Sequence, residues 1–181
     1  QNKSFELCLF LSLPASMALV VGAEEITSAL FGYGVFNELS VSNSAKALFY
    51  FALGLPAFAI IKVFSAFLFA RGNTKTPFYF SLISVLINIS ISIFFFKEVG
   101  FIIIPIATSI SSWVNALLLF IKLNLNNNFE ARNIFNNTNL KITLVSIISI
   151  YIFNFFINSS EKYLTYESEF KLFIVILLVL T

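Results

Sequence analysis

Histidine and aspartate are absent from this chain, and cysteine occurs once, as Cys8. Without histidine no side chain exchanges protons near neutral pH at its ordinary pKa. One thiol forms neither an intrachain disulfide nor a zinc cluster, so Cys8 reads as a small buried hydrophobe in an apolar run. Charge is scarce too. Lys and Arg number 11 and the acids 9, a net charge of +2, and charged residues make up 11% of the chain, against roughly 25% in soluble domains. So small an excess points to no acidic partner and to no nucleic acid. There is no paired-carboxylate cleft, metal-ligand cluster or Gly-rich phosphate loop. These absences argue against an enzyme and against a bound cofactor or metal.

What the chain has in abundance is apolar surface. Of its 181 residues 59% are hydrophobic and 24 are Phe, and the mean hydropathy is +0.92. A soluble domain of this length needs far more polar residues to cover its surface. The composition indicates an integral membrane protein.

Six apolar segments follow one another, at about 5–32, 44–70, 78–96, 101–123, 140–157 and from 170 onward. In lipid the backbone must satisfy its own hydrogen bonds, so runs of this length are helices. A lipid-facing β-barrel would instead show alternating segments of about ten residues. The expected fold class is all-α, a polytopic transmembrane bundle of about six spans. The last segment reaches only Thr181, short of the roughly 20 residues a span needs, and the chain starts at Gln1. It reads as an internal piece of a larger protein. The longest link, 124–139, is Asn-rich and reads as a solvated connector. Lys3, Arg71, Lys75, Lys122, Arg132 and Lys141 fall on one side of the membrane and Lys46, Lys97, Lys162 and Lys171 on the other. The positive-inside rule places the first side in the cytoplasm.

Several residues within the spans call for an explanation. Lys62 lies well inside the second span. An ammonium at that depth faces a cavity or partner, or snorkels to the interface, and both readings stand. Glu24 and Glu25 lie in the outer half of the first span, at a depth that argues against an ion pair of Glu24 with Lys62. Pro14, Pro56 and Pro105 each favour a bend. Ser81, Ser84, Asn88 and Ser92 share one face of the third span, as do Thr108, Ser112 and Asn115 on the fourth, and Thr143, Ser146 and Asn154 are polar positions of the fifth. Helix packing explains such stripes, and a hydrated central path is the sharper alternative. Trp113 reads as a packing residue.

Leu30-Phe31-Gly32-Tyr33-Gly34-Val35-Phe36 resembles the LF-x-x-G-x-F signature of the MurJ/MviN family. Lys62-Val63-Phe64, followed by Ala70-Arg71-Gly72-Asn73-Thr74-Lys75-Thr76-Pro77, is similar to that family's K-V-x(6)-A-x-x-D-T-x-T-P segment. Leu13-Pro14-Ala15 resembles its L-P-x-A opening. The similarity covers about Leu7 to Leu123. Glu25 and Ala66 stand where the family has Pro, and Asn73 where it has Asp. These are lipid II flippases of the multidrug/oligosaccharidyl-lipid/polysaccharide exporter superfamily. The resemblance implies the ninth to fourteenth spans of a fourteen-helix fold: 1–123 in the second lobe, 124–139 a cytoplasmic linker and 140–181 two extra C-terminal helices. It further implies a multi-pass protein of the bacterial inner membrane that moves a lipid-linked anionic substrate by alternating access. The partners implied are membrane lipids and the missing N-terminal half. Lys62 is the implied headgroup contact, with Glu24, Asn88 and Asn115 as further cavity candidates. A related polysaccharide-lipid or multidrug exporter and a non-transporting scaffold are the alternatives.

Overall fold

The computed structural model describes residues 2–32, 37–125 and 137–163. Among them there is no strand. Helix α1 (Asn2–Val21) leads into the short α2 (Ala23–Phe31). α3 (Glu38–Phe69) and α4 (Lys75–Val99) follow, and a 3-10 turn at Gly100–Ile102 precedes α5 (Ile103–Leu125) and α6 (Asn137–Tyr163). Among the described residues four helical stretches are long and apolar enough to cross a membrane: Lys3–Val21, Glu38–Phe69, Lys75–Leu125 and Thr138–Phe155. The third is the α4–α5 pair, which reverses at Gly100, where φ is +72°. Large apolar side chains cover the outside, Phe94 for instance being 79% exposed. A surface of that kind is at home against lipid and a liability in water.

Capping extends the helices beyond their apolar cores. Asn37 Oδ1 accepts from the Ser40 backbone N–H at 2.9 Å, so α3 begins at Glu38 and the link expected over 33–43 is shorter. Asn73 Oδ1 accepts from Thr76 N–H at 3.1 Å. An asparagine carbonyl serves such a turn as well as a carboxylate does, so Asn73 keeps the capping function without the charge. Likewise α6 exceeds the expected 140–157 at both ends. Residues 126–136, the sixth segment and Tyr33–Phe36 of the first motif lie outside the described residues.

The prolines act differently from one another. Pro105 is the third residue of α5, where an N–H has no intrahelical acceptor to lose, so it breaks no bond. The first apolar segment is interrupted at Gly22 rather than at Pro14, which lies within α1. The ring of Phe153 from α6 packs there, and a Cβ on Gly22 would stand 2.9 Å from its Cε1.

Pro56 has the largest consequence. It sits inside α3 and lacks the N–H that would bond the carbonyl four residues back, that of Ala52. Ser16 Oγ of α1 donates to that carbonyl at 2.6 Å, and both residues are buried. The same contact fixes the direction of packing. With Phe5 stacked on Phe64 at 5.7 Å, it makes α1 and α3 antiparallel. α5 runs parallel to α3: Ser109 Oγ donates to Tyr50 O at 2.5 Å, Trp113 Nε1 donates to Leu53 O at 3.1 Å, and Phe64 stacks on Phe120. The close approach needs Gly54, whose added Cβ would lie 2.7 Å from Ser109 Oγ and 3.1 Å from its Cα. At one end of this three-helix block Phe5, Ile60, Phe64, Leu68, Leu119 and Leu123 form the apolar core. α6 packs chiefly on α1.

The Ser16–Ala52 bond makes a specific prediction. Ser16→Ala leaves a buried carbonyl without its donor and lowers stability by about 1–3 kcal/mol. Pro56→Ala in the Ser16→Ala background restores the intrahelical donor and recovers most of that loss. Thermal unfolding of the purified full-length protein carrying each substitution measures both effects.

Candidate functional site

The polar stripe of α4 divides. Ser84 Oγ donates to Ser111 O at 2.7 Å. Asn88 Nδ2 donates to Thr108 Oγ1 at 2.9 Å and reaches Ser111 Oγ at 3.4 Å. Ser92 Oγ in turn reaches Asn88 Oδ1 at 3.4 Å. These bonds form a seam that joins α4 to the antiparallel α5. Asn88 therefore belongs to helix packing, as small and polar residues at membrane-helix interfaces commonly do. Ser81, one turn nearer the start of α4, faces elsewhere and lines a cleft against α3.

On α5, Ser112 Oγ donates to its own-helix Thr108 O at 2.6 Å. Asn115 is buried, and its Oδ1 meets no donor among the described residues. The stripe on α6 closes on itself, Thr143 Oγ1 donating to Asn139 O and Ser146 Oγ to Ile142 O. Trp113, expected only to pack, also bonds the α3 backbone. Among the described residues most of these hydroxyls and amides close on a neighbouring helix or on the preceding turn, Asn115 Oδ1 being a buried exception.

Lys62 is the exception. Its side chain lines a cleft of about 570 Å3 between the second half of α3 and the start of α4. Ile61, Ser65, Ala66 and Phe69 come from α3, Thr74 from the connection, and Pro77, Phe78 and Ser81 from α4. α3 and α4 touch little along their length, because α5 holds α3 by Gly54 and α4 by the seam, and this separation opens the cleft. Lys62 is exposed, and no hydrogen bond or ion pair engages its ammonium among the described residues. Nine residues separate it from Arg71, about 13 Å along the helix. Lys3, Arg71, Lys75 and Lys122 lie at the same end of the bundle as the cleft, while Glu24, Glu25, Glu38 and Glu98 lie at the other. Glu6, on α1, is the one acid of the described residues at the basic end.

Glu24 is exposed in the first turn of α2, where a carboxylate favours the positive end of the helix dipole. In the antiparallel register set by Ser16 and Ala52, Glu24 and Lys62 stand roughly 27 Å apart along the bundle. The structure thus brings none of the four expected residues together. Lys62 lines the cleft, Asn88 joins two helices, Asn115 is buried on α5, and Glu24 stands in the first turn of a helix at the far end. Ser65, Thr74 and Ser81 complete the cleft. A small polar residue one turn after Lys62, and an Asn-Thr turn ahead of Pro77, were the available signals for two of them.

A family model described as "Lipid II flippase MurJ" matches residues 1–174. The chain belongs to the MurJ family. A probable lipid II flippase MurJ of Rhizobium meliloti (strain 1021) is 44% identical over 120 residues, covering 66% of this chain and 22% of that protein. The probable MurJ of Rickettsia prowazekii (strain Madrid E) is 37% identical over 120 residues, 66% of this chain and 24% of that protein. Among solved structures, a lipid II flippase MurJ in the inward closed conformation superposes with a TM-score of 0.77 at 28% identity, over 99% of this chain and 36% of that one. The chain thus spans about a quarter of the length of the curated MurJ relatives it matches. The likeness extends beyond the 7–123 region of motif resemblance, since it takes in α6, and it establishes the helical membrane-transporter fold.

The α4–α5 seam is open to a coupling measurement. Asn88→Val and Thr108→Val each lower unfolding stability, and the double variant loses less than their sum, with a coupling of about 0.6 kcal/mol. Unfolding of the four full-length proteins in detergent supplies the cycle. Strict additivity would mean that the two side chains do not meet.

Proposed function

We propose that this chain forms part of a lipid II flippase that carries the lipid-linked peptidoglycan precursor from the inner to the outer leaflet of the bacterial cytoplasmic membrane. The single observation that carries the reading is the family match over residues 1–174. Residues 1–123 then contribute four spans of a transporter lobe, and 140–181 two appended helices. The packing of α6 chiefly on α1 supports that division. The basic end, with Lys3, Arg71, Lys75 and Lys122, faces the cytoplasm by the positive-inside rule.

Transport of this kind makes and breaks no covalent bond. It needs a site that binds an anionic headgroup from one side and releases it to the other, by rocking of two lobes about it. Lys62 supplies a cation of the right sign, a point charge for a phosphate oxygen, at a depth where an unpaired ammonium is costly. Asn115 and Glu24 are secondary candidates for the cavity, and Asn88 acts by holding α4 in place. The stretch of the relatives that this chain does not cover supplies the opposing lobe.

The test is complementation by the full-length gene in cells depleted of their own flippase. Lys62→Glu abolishes growth, Lys62→Ala impairs it by about tenfold or more in plating efficiency, and Lys62→Arg restores part of it. Outer-leaflet lipid II measured in the same cells falls in the same order. Normal growth and normal export with Lys62→Glu exclude the role given to this residue.

A further inference from the structure

We propose that the start of α4 is a gate on the α3–α4 cleft. Tightening of the turn from Ser81 to Ser84 moves Ser81 out of the cleft onto the amide of Asn115 and swings Phe78 into the space it leaves. The inference goes beyond the flippase reading and holds whatever occupies the cleft.

Two polar groups are left over at one level of the bundle. Asn115 Oδ1 is enclosed and meets no donor among the described residues, a costly state for a carbonyl out of reach of water. Ser81 is exposed in the cleft lining, and its hydroxyl makes no hydrogen bond among the described residues. The seam relates the two. Ser84 Oγ donates to Ser111 O at 2.7 Å and α4 runs antiparallel to α5. Ser81, three residues before Ser84, therefore lies toward the same end as Asn115, four residues after Ser111. Asn115 also shares the face of Thr108 and Ser111, the face that Asn88 and Ser84 hold against α4. The other hydroxyls nearby are engaged, Ser111 and Ser112 on Thr108 O and Ser84 on Ser111 O. Ser81 is the unengaged hydroxyl of the α4 stripe.

Regular α-helical geometry keeps the pair apart. Ser81 points about 60° away from Ser84 and stands about 4.5 Å from it along the axis. In a 3-10 turn the side chains at i and i+3 eclipse, and the rise is about 2.0 Å per residue. One such turn brings Ser81 into line with Ser84 and about 6 Å from it. Asn115 is likewise about 6 Å from Ser111 along α5, so direction and spacing match together. Turns of this kind are frequent at helix starts, and each N–H in them keeps an acceptor one residue nearer. The residues before Ser81 are carried round by the same angle. Phe78, which is 65% exposed, then takes the direction that Ser81 has in the open form, and its ring enters the cleft of about 570 Å3. The connection to α3 leaves room for the change, since a Cβ on Gly72 would meet nothing within 4 Å.

The two forms have opposed costs. The open form leaves Asn115 Oδ1 unpaired. The shut form pairs it, fills the cleft and drives the Lys62 ammonium along its stem toward the interface. An occupant of the cleft keeps Phe78 out and so selects the open form.

The experiment uses the cysteine-free full-length protein in native membranes. Ser81→Cys with Asn115→Cys forms a disulfide under mild oxidation, which two Cβ atoms directed apart do not allow. Modification of the Lys62 ammonium by a small membrane-impermeant amine reagent, located by peptide mass, falls about fivefold or more on oxidation and recovers on reduction. Phe78→Ala added to the bridged pair abolishes the protection. Oxidation and reduction act on the same folded molecules, so a folding defect does not imitate this result. In the unbridged protein Asn115→Leu keeps the bulk of the side chain and removes the orphaned carbonyl, and it raises Lys62 reactivity about fivefold. A pair at 81 and 115 that does not bridge overturns the proposal. So does a bridge that leaves Lys62 reactive, or protection that persists with Phe78→Ala.

Discussion

The carbonyl of Ala52 has lost its helical partner to Pro56, and in hydrocarbon it has no water to turn to. A buried unpaired carbonyl costs about 1–3 kcal/mol, so some other donor has to reach it. Ser16 does, from α1. That one requirement sets the register of α1 on α3, and with it the stacking of Phe5 on Phe64 and the apolar core at the basic end. The same logic repeats where no proline is involved. A helix carbonyl has a second lone pair, and Ser109, Trp113 and Ser84 each donate to a backbone carbonyl of a facing helix. Between apolar helices in lipid, where burial of hydrocarbon supplies little drive, such bonds and the close contacts around Gly54 decide which faces meet.

Once those bonds are made, the place of the open cleft follows. α5 is committed on one face to α3, through Ser109 and Trp113, and on another to α4, through Thr108 and Ser111. α3 and α4 are consecutive in the chain and joined by a tight turn at Gly72, φ +73°, yet α5 keeps them apart. The gap falls where Ser65, Ala66 and Ser81 present little bulk, and Lys62 projects into it. Lys62 is therefore a residue that is costly to place in lipid and that has open space beside it. That coincidence is the physical reason why Lys62 is the residue proposed to meet an anion.

Much of this architecture could be read from residues alone, because five of the apolar runs are long and their helices are local. The link between 33 and 43 read as longer than it is, because the capping by Asn37 lies outside the hydrophobic pattern. The bend of the first segment was legible as a bend but not at its true position. Gly22 yields there because Phe153, far along the chain, packs against it. The stripe Ser81, Ser84, Asn88, Ser92 showed a shared face but not that Ser81 leaves the seam for the cleft. Nor could the pairing of Ser16 with Ala52 be seen in advance, since it depends on how two distant segments align. Lys62 stood out at once, because a charge in an apolar run is visible without any structure. That Glu24 and Lys62 occupy opposite ends followed from the depth of each in its span.

The central claim is that the polar seam between α4 and α5 is closed and that the Lys62 cleft is open. Thiol accessibility in native membranes tests it most directly. In a cysteine-free full-length protein, with Cys8→Ser among the replacements, Lys62→Cys and Asn88→Cys are each exposed to a small, charged, membrane-impermeant thiol reagent applied to inverted vesicles. Rapid labelling at position 62 and protection at position 88 is the predicted result. Rapid labelling at 88 with protection at 62 would contradict the account, for it would place water along the α4–α5 seam and close the cleft.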